Sequence, residues 1–329
     1  MPTQATQRKI DLPVAEHRLC ARVARLYYES ELTQEQIGER LGLSRMKVNR
    51  LLSLAARSGV VTFHIVDPDE PHQELQHRLQ STFGLKDAVV VSEPAPERPL
   101  RSVLAAAAAT WLAGRLRTDL VVGLGLGRTV ALLPETFAVS RPVACRFIPL
   151  EGVGLSPDAG FAAYDVTSRL AEAAGGKAEI ISAPTFVSSP VIRDALLAEP
   201  AVAASLRLAR GAGLMIQSLG SVSSDALLLR HGTLSRSDLQ QLRKAGAVGD
   251  ALGHFFDADG VHIPWATDEL HIGLTIEDLM ACPMSAVVAG GEDKVLAIRA
   301  AIRGGFLNAL ITDSATAGRL LEMADGVAA

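Results

Sequence analysis

Cysteine is scarce in this chain: Cys20, Cys145 and Cys282 stand far apart, with no C-x-x-C pair. That argues against a disulfide framework and a cysteine-held metal, and it fits a reducing compartment. Aromatic residues are only 4% of the sequence, so any core must be built from Ala, Val, Leu and Ile. No apolar run approaches membrane-spanning length. The longest, Leu104 to Gly114, is Ala-rich and about half of the ~20 residues that a spanning helix needs. The opening MPTQATQRKIDLP has no apolar h-region, so the chain is expected to be cytoplasmic, with no membrane partner. Beyond the alanine run there is no low-complexity tract and no internal repeat.

What is present is a 329-residue chain that is 48% hydrophobic, enough for two or so domains with a sizeable core. The net charge is −4 and is unevenly spread. Residues 1–65 hold ten Lys or Arg against six Asp or Glu, so they carry +4 and the remainder −8. A modestly basic head on an acidic body points to one end that binds a polyanion. The expected domains are therefore 1–65 and 66–329.

Along the chain, residues 13–58 have helical spacing, and Val60–Val66 is a short β-branched run that suits a small strand or wing. Pro68 and Pro71 mark a linker, and helical spacing resumes at Leu75 and Leu79. Beyond EPAPERP (93–99), strands and helices alternate. Strands are expected at Ala88–Val91, Leu120–Gly123, Cys145–Leu150, Ala178–Ala183, Gly213–Ser218, Ser285–Ala289 and Ala309–Thr312. Helices are expected at Arg101–Arg117, Ala163–Ala174, Ser235–Ala245 and Lys294–Gly304. Continuous apolar strands separated by helices predict an α/β body around a mainly parallel sheet.

The sharpest local signal lies in residues 32–65. Thr33 with Gln36 makes a capping box. Ile37 and Leu41 share a face, and Gly42 suits a left-handed helix exit. Ser44 caps a second helix, in which Val48, Leu51, Leu52 and Ala55 form a buried stripe. Arg45, Lys47, Asn49 and Arg50 fall largely off that stripe, and these residue types reach phosphates and base edges. Two capped helices around a glycine turn, the second polar-faced, make a helix-turn-helix that binds double-stranded operator DNA. The candidate DNA-contacting residues are Thr33, Gln34, Gln36, Ser44, Arg45, Lys47, Asn49 and Arg50. An ordinary helical hairpin with a solvated face would lack this agreement of caps, turn and cations.

The segment LYYESELTQEQIGERLGLSRMKVNRLL (26–52) resembles the DNA-binding domain of the SorC family of bacterial sugar-responsive transcriptional regulators. Three further segments resemble that family's effector domain: DLVVGLGLGRTV (119–130), LRKAGAVGDALGHFFDADG (242–260) and VVAGGEDKVLAIRAAIRGGFLNALITDSATAGRLL (287–321). Together they cover most of the chain in the family's order.

Each segment also has its own chemistry. In the first, an apolar strand runs into Gly123, and Gly125, Leu126, Gly127, Arg128 and Thr129 lead into a helix. Glycine backbone N–H groups, a helix N-terminus, a hydroxyl and a guanidinium would cradle a phosphate. Taken alone, the loop fits a ligand-free strand-to-helix turn equally well. A dinucleotide fingerprint would need Gly where Arg128 stands. In the second segment Asp250 can accept hydrogen bonds from sugar hydroxyls, or simply cap a helix or turn. Asp257 and Asp259 look like turn formers. In the third, Gly290 and Gly291 end a buried strand and Lys294 opens the next helix. A cation there opposes the helix dipole, which favours an anionic ligand over plain surface solvation.

Ligands of open α/β sheets bind beyond the carboxyl ends of the strands, so these loops can converge on one pocket. The resemblance implies the same. SorC-type effector domains resemble sugar-phosphate isomerases and deaminases and usually bind phosphorylated sugars. It assigns ligand-site roles to the glycine loop with Thr129, to Asp250 and to Lys294. Gly152 and Gly154, after the strand ending at Leu150, are expected to add backbone contacts, but the Asn that relatives often carry soon after is not evident, so the resemblance assigns no role there. Many relatives carry Trp where Leu126 stands, so this pocket is lined differently. No cofactor is implied, the effector is a phosphorylated sugar or polyol, and the chain is expected to form dimers or tetramers. The competing reading is a sugar-phosphate isomerase or deaminase with a DNA-binding head. Asp250 could act as its base and Lys294 as a Schiff-base amine. Against it, no second acid/base partner is evident, and His254 and His271 stand alone in sequence. A purely architectural DNA-binding protein is disfavoured by the large acidic body.

Overall fold

The computed structural model describes residues 13–30, 32–61, 70–94, 98–125, 127–153, 163–223, 226–230 and 232–325. The chain divides into two compact units, residues 1–68 and 69–329.

The first unit is a trihelical cluster of α1 (Val14–Tyr28), α2 (Gln34–Leu41) and α3 (Arg45–Arg57). Its core joins Cys20, Val23 and Ala24 of α1, Ile37 of α2, and Val48, Leu51, Leu52 and Ala55 of α3. The stripe expected on the second helix is thus the buried one. Val60 and Val61 form a bend after α3; the rest of the expected wing, 62–66, lies outside the described residues.

The second unit opens with α4 (Glu70–Phe83), whose first turn contains Pro71. That proline starts a helix, where its missing N–H is harmless, and does not extend a linker. Among the described residues eleven strands follow: β1 (Asp87–Val91), β2 (Val121–Gly125), β3 (Arg146–Pro149), β4 (Lys177–Ala178), β5 (Leu214–Gln217), β6 (Gly220–Ser221), β7 (Gly249–Ala251), β8 (His254–Phe256), β9 (His262–Ile263), β10 (Ser285–Val288) and β11 (Ala309–Asp313). Their helices are α5 (Leu100–Ala113), α6 (Ala163–Ala174), α7 (Pro190–Ala198), α8 (Pro200–Arg210), α9 (Leu227–Arg230), α10 (Arg236–Lys244), α11 (Ile276–Ala281), α12 (Val295–Arg303) and α13 (Ser314–Asp325).

Seven strands form one sheet in the order β1-β11-β10-β5-β2-β3-β4, and every pairing in it is parallel. One apolar cluster includes Ile148, Met215, Val287 and Leu310 with α8 and α12; another includes Phe147, Leu214, Ile216 and Ile311 with α5 and α6. Alternate residues of the same strands thus feed both faces, which is why the strands read as unbroken apolar runs.

Four expectations change. The strand expected over 178–183 is only β4, Lys177–Ala178, at the sheet's edge beside Arg146 and Phe147 of β3. The helix expected to reach Arg117 stops at Ala113, capped by Gly114. Its would-be last turn instead lays Arg115 over the Trp111 ring and against Asp87. The glycine loop leads not into an α-helix but into a six-residue 3-10 turn, Val130–Glu135, interrupted by Pro134. The helix-dipole argument for a phosphate there therefore falls away. Finally, β6-β7-β8-β9 form a second, antiparallel sheet that hydrophobic patterning did not reveal, because its strands are only two or three residues long.

Candidate functional site

In the head, local chemistry sets each end. Thr33 Oγ1 accepts from Gln36 N at 3.3 Å and Gln36 Oε1 accepts from Thr33 N at 2.9 Å, closing the capping box. Gly42 sits at φ +66°, and the N–H groups of Gly42 and Leu43 both reach Gly38 O. Ser44 Oγ then accepts from Lys47 N at 3.3 Å to start α3. Ser44, Arg45, Lys47, Asn49 and Arg50 are exposed on α3, with Thr33 and Gln36 exposed and Gln34 half-buried on α2. The Thr33 and Gln36 side chains each accept from the other residue's backbone N–H, so they shape the helix as well as facing solvent. Two features escaped sequence reasoning. A Cβ on Gly38 would lie 2.6 Å from Leu43 O, so Gly38 is what lets α2 and the turn close. Met46 is 84% exposed between Arg45 and Lys47, an apolar tip among cations of the kind that meets a thymine methyl.

In the body, a cavity of about 430 Å³ lies beyond the carboxyl ends of the adjacent strands β10, β5, β2 and β3. It brings together Gly125, Gly127, Arg128, Thr129, Asp250, Gly290, Gly291 and Lys294. Leu126 and Gly154 lie outside the described residues. Gly152 does not line the cavity. A Cβ there would sit 2.6 Å from Pro184 O, and its N–H and C=O are engaged by Ile272 O and the Thr185 hydroxyl. This glycine allows a close backbone crossing, and its neighbour Glu151 is the residue that faces the cavity.

Gly291 is likewise a structural glycine, at φ +95°. Its N–H donates to Asp313 Oδ2 at 3.0 Å and Thr316 Oγ1 at 2.8 Å, so it is not offered to a ligand. Asp250 belongs to β7 of the small sheet, not to a loop after a parallel strand. It is paired in register with Gly220, and a Cβ on Gly220 would collide with its carboxylate. Lys294 closes a 3-10 turn immediately before α12. It is half-buried and donates from Nζ to Leu219 O at 3.0 Å.

The electrostatics centre on Asp250. Burial pushes its carboxyl up to about 6, against the pull of Lys294, the Gly253 backbone N–H and His254, and with a further push from Glu151. Sequence reasoning missed Glu151 and Ser218. Both line the cavity, and Ser218 Oγ is buried without a hydrogen-bond partner.

His254 and His271 are not isolated. His254 Nδ1 lies 2.7 Å from Asp268 Oδ1, and His271 Nε2 lies 3.8 Å from Glu151 Oε2. Burial lowers the His271 pKa, with Glu151 opposing. The expected turn role of Asp257 holds: its Oδ1 accepts from Asp259 N and Val261 N, both at 2.9 Å. No helix among the described residues is long and apolar enough to cross a membrane.

Residues 68–322 match the family described as "Putative sugar-binding domain", and residues 21–58 match "Sigma-70, region 4". The second match covers α2, the turn and α3. The chain is 35% identical over 325 residues to the transcriptional regulator LsrR of Klebsiella pneumoniae, covering 96% of this chain and 97% of that one. It is 31% identical over 320 residues to the erythritol catabolism regulatory protein EryD of Brucella abortus, covering 95% and 99%. The full-length sorbitol operon regulator SorC from Klebsiella pneumoniae superposes with a TM-score of 0.71 at 25% identity, covering 93% of this chain and 99% of that one. The chain belongs to the SorC family of sugar-binding transcriptional regulators.

Proposed function

We propose that this protein regulates a carbohydrate or polyol catabolic operon, residues 1–65 holding operator DNA and residues 66–329 sensing a phosphorylated sugar or polyol. The observation that carries the sensing role is the single cavity in which Arg128 and Lys294 face the same space as Asp250, Glu151 and Ser218. Such a lining offers cations to a phosphate at one part and acceptors to hydroxyls at another. The family relatives whose names speak of erythritol and sorbitol support a polyol or sugar as the ligand class.

In this reading Arg45, Lys47, Asn49 and Arg50 contact DNA, and Thr33, Gln34, Gln36 and Ser44 position or add to that contact. The effector is held by Arg128, Thr129, Asp250 and Lys294, with the backbone of Gly125, Gly127 and Gly290 close by. The ligand controls DNA binding only through a difference in affinity between two states of an oligomer, a dimer or tetramer whose paired heads match a two-fold operator.

The test is a thermal-shift screen of the full chain against phosphorylated sugars and polyols, followed by retardation of its own promoter DNA with each hit. One compound is expected to raise the melting temperature and move the retardation midpoint. If none does either, the sensing role fails while the DNA-binding role stands.

One observation favours a second reading, an enzyme acting on the same ligand. Asp250 has a second carboxylate, Glu151, in its cavity, and an acid pushed to about 6 is poised for proton transfer. Incubation of the full chain with each hit is expected to return it unchanged; turnover would favour the enzyme.

A further inference from the structure

Away from the strand ends that form the ligand cavity, three side chains from three separate segments converge. They are His254 on β8, His262 on β9 and Asp268 in the 3-10 turn Ala266–Leu270. His254 Nδ1 lies 2.7 Å from Asp268 Oδ1, and His262 Nε2 lies 3.2 Å from Asp268 Oδ2. One ligand atom from each residue falls within 4.8 Å of the others. We propose that His254, His262 and Asp268 bind a divalent transition-metal ion of the zinc class.

The donor set decides the class. Two imidazole nitrogens and one carboxylate oxygen suit zinc, cobalt or nickel, whereas calcium and magnesium want oxygen ligands throughout. The two contacts to Asp268 need little change. A tetrahedral zinc with bonds of about 2.0–2.1 Å sets its ligand atoms roughly 3.3 Å apart, so the His254–Asp268 pair would open by roughly half an ångström.

Burial supplies an inner and an outer side. The His254 side chain is 7% exposed and those of Asp268 and His262 are 20% and 31% exposed. The protein thus encloses the ion from below and leaves a position for water or a fourth ligand above.

The present hydrogen bonds do not account for the cluster. Asp268 is already occupied as a cap, accepting from Trp265 N at 2.7 Å, and one carboxylate then faces two imidazoles as well. His262 Nε2, although 3.2 Å from Asp268 Oδ2, is buried without a well-formed hydrogen bond. A metal taking His254 Nδ1 leaves the ring proton on Nε2, which has no hydrogen-bond partner among the described residues. His271 packs against the His254 ring, its centroid 4.7 Å away and its plane at 83°. His271 in turn lies beside Glu151 of the ligand cavity.

The test uses the untagged full chain, freed of metal by chelator and dialysis. Cobalt(II) is titrated in while visible absorption is followed, and zinc(II) then competes it away. The expected result is one equivalent of cobalt with the intense bands of a four-coordinate site, bleached by one equivalent of zinc. His262→Asn, at the exposed edge of the cluster, is expected to weaken cobalt binding at least tenfold while leaving the circular dichroism and promoter retardation unchanged. Asp268→Asn checks the carboxylate in the same way. Absence of cobalt binding, or binding of equal strength in folded His262→Asn, overturns the site.

Discussion

Asp250 is held in the fold at a cost that the ligand would offset. Its carboxyl is raised from 3.8 to about 6, so between those values the folded chain binds a proton that the unfolded chain has released. Stability from this group is therefore greatest in acid, falls as pH rises from about 4 to about 6, and stays low at neutral pH. The deficit at neutral pH is up to about 3 kcal/mol. Asp250→Asn is expected to raise the melting temperature at pH 7.5, to lose that gain toward pH 4, and to abolish the sugar response. An equal or lower melting temperature at pH 7.5 would mean that the carboxylate is not destabilising. Lys294 and Arg50 give the complementary pair. Lys294→Ala is expected to lose the ligand-induced thermal shift and keep promoter binding. Arg50→Ala is expected to keep the shift and lose about five- to 150-fold in DNA affinity, since a good contact to a guanine is worth about 1–3 kcal/mol. Swapped outcomes would assign the two sites the wrong way round.

At the scale of the element, the turn between α2 and α3 carries the head. A Cβ on Gly38 would press on the backbone oxygen of Leu43 at 2.6 Å, and a backbone atom cannot swing aside as a side chain would. Gly38→Ala is expected to destabilise the head by about 1–3 kcal/mol, against about 1 kcal/mol for Thr33→Ala at the cap. Melting of residues 1–68 followed by circular dichroism ranks the two, and the reverse order would count against the close approach. The cap, Gly42 and Ser44 were all legible in sequence because each acts within three or four residues. Gly38 was not, because its neighbour is brought to it only by the turn. The same division runs through the body. Parallel strands buried on both faces announce themselves as apolar runs, and the loops at their ends could be placed. The strands of the small sheet are too short to show a period. Glu151 and the His254–His262–Asp268 cluster bring together residues from separate segments that no local pattern joins. Gly152 misled for a related reason: a glycine next to a site can serve the crossing of two backbones, here at Ala183–Pro184, and not the ligand.

At the scale of the whole molecule, the charge distribution sets how DNA binding must work. The chain carries −4 overall and its first 65 residues only +4, so one head neutralises few phosphates and holds DNA weakly at physiological salt. In the proposed oligomer, affinity would come from several heads on one operator, and salt dependence counts them. Each cation brought to a phosphate contributes about −0.9 to the slope of log K against log salt. Arg45, Lys47 and Arg50 are the exposed cations in the first half of α3, with Arg57 exposed in its last turn, so a pair of heads using the first three is expected to show a slope of roughly −5. Lys47→Ala then removes one contact per head: the slope is expected to flatten by about 2 if two heads are engaged and by about 1 if one is. Measuring promoter affinity for both proteins between low and moderate salt gives the difference directly. Adding the sugar phosphate that scores in the thermal screen is expected to move that slope as well, because a ligand that releases one head removes all of its phosphate contacts together. A ligand that lowers affinity at constant slope would instead be weakening every head alike, and the pairing of heads would not be the controlled step.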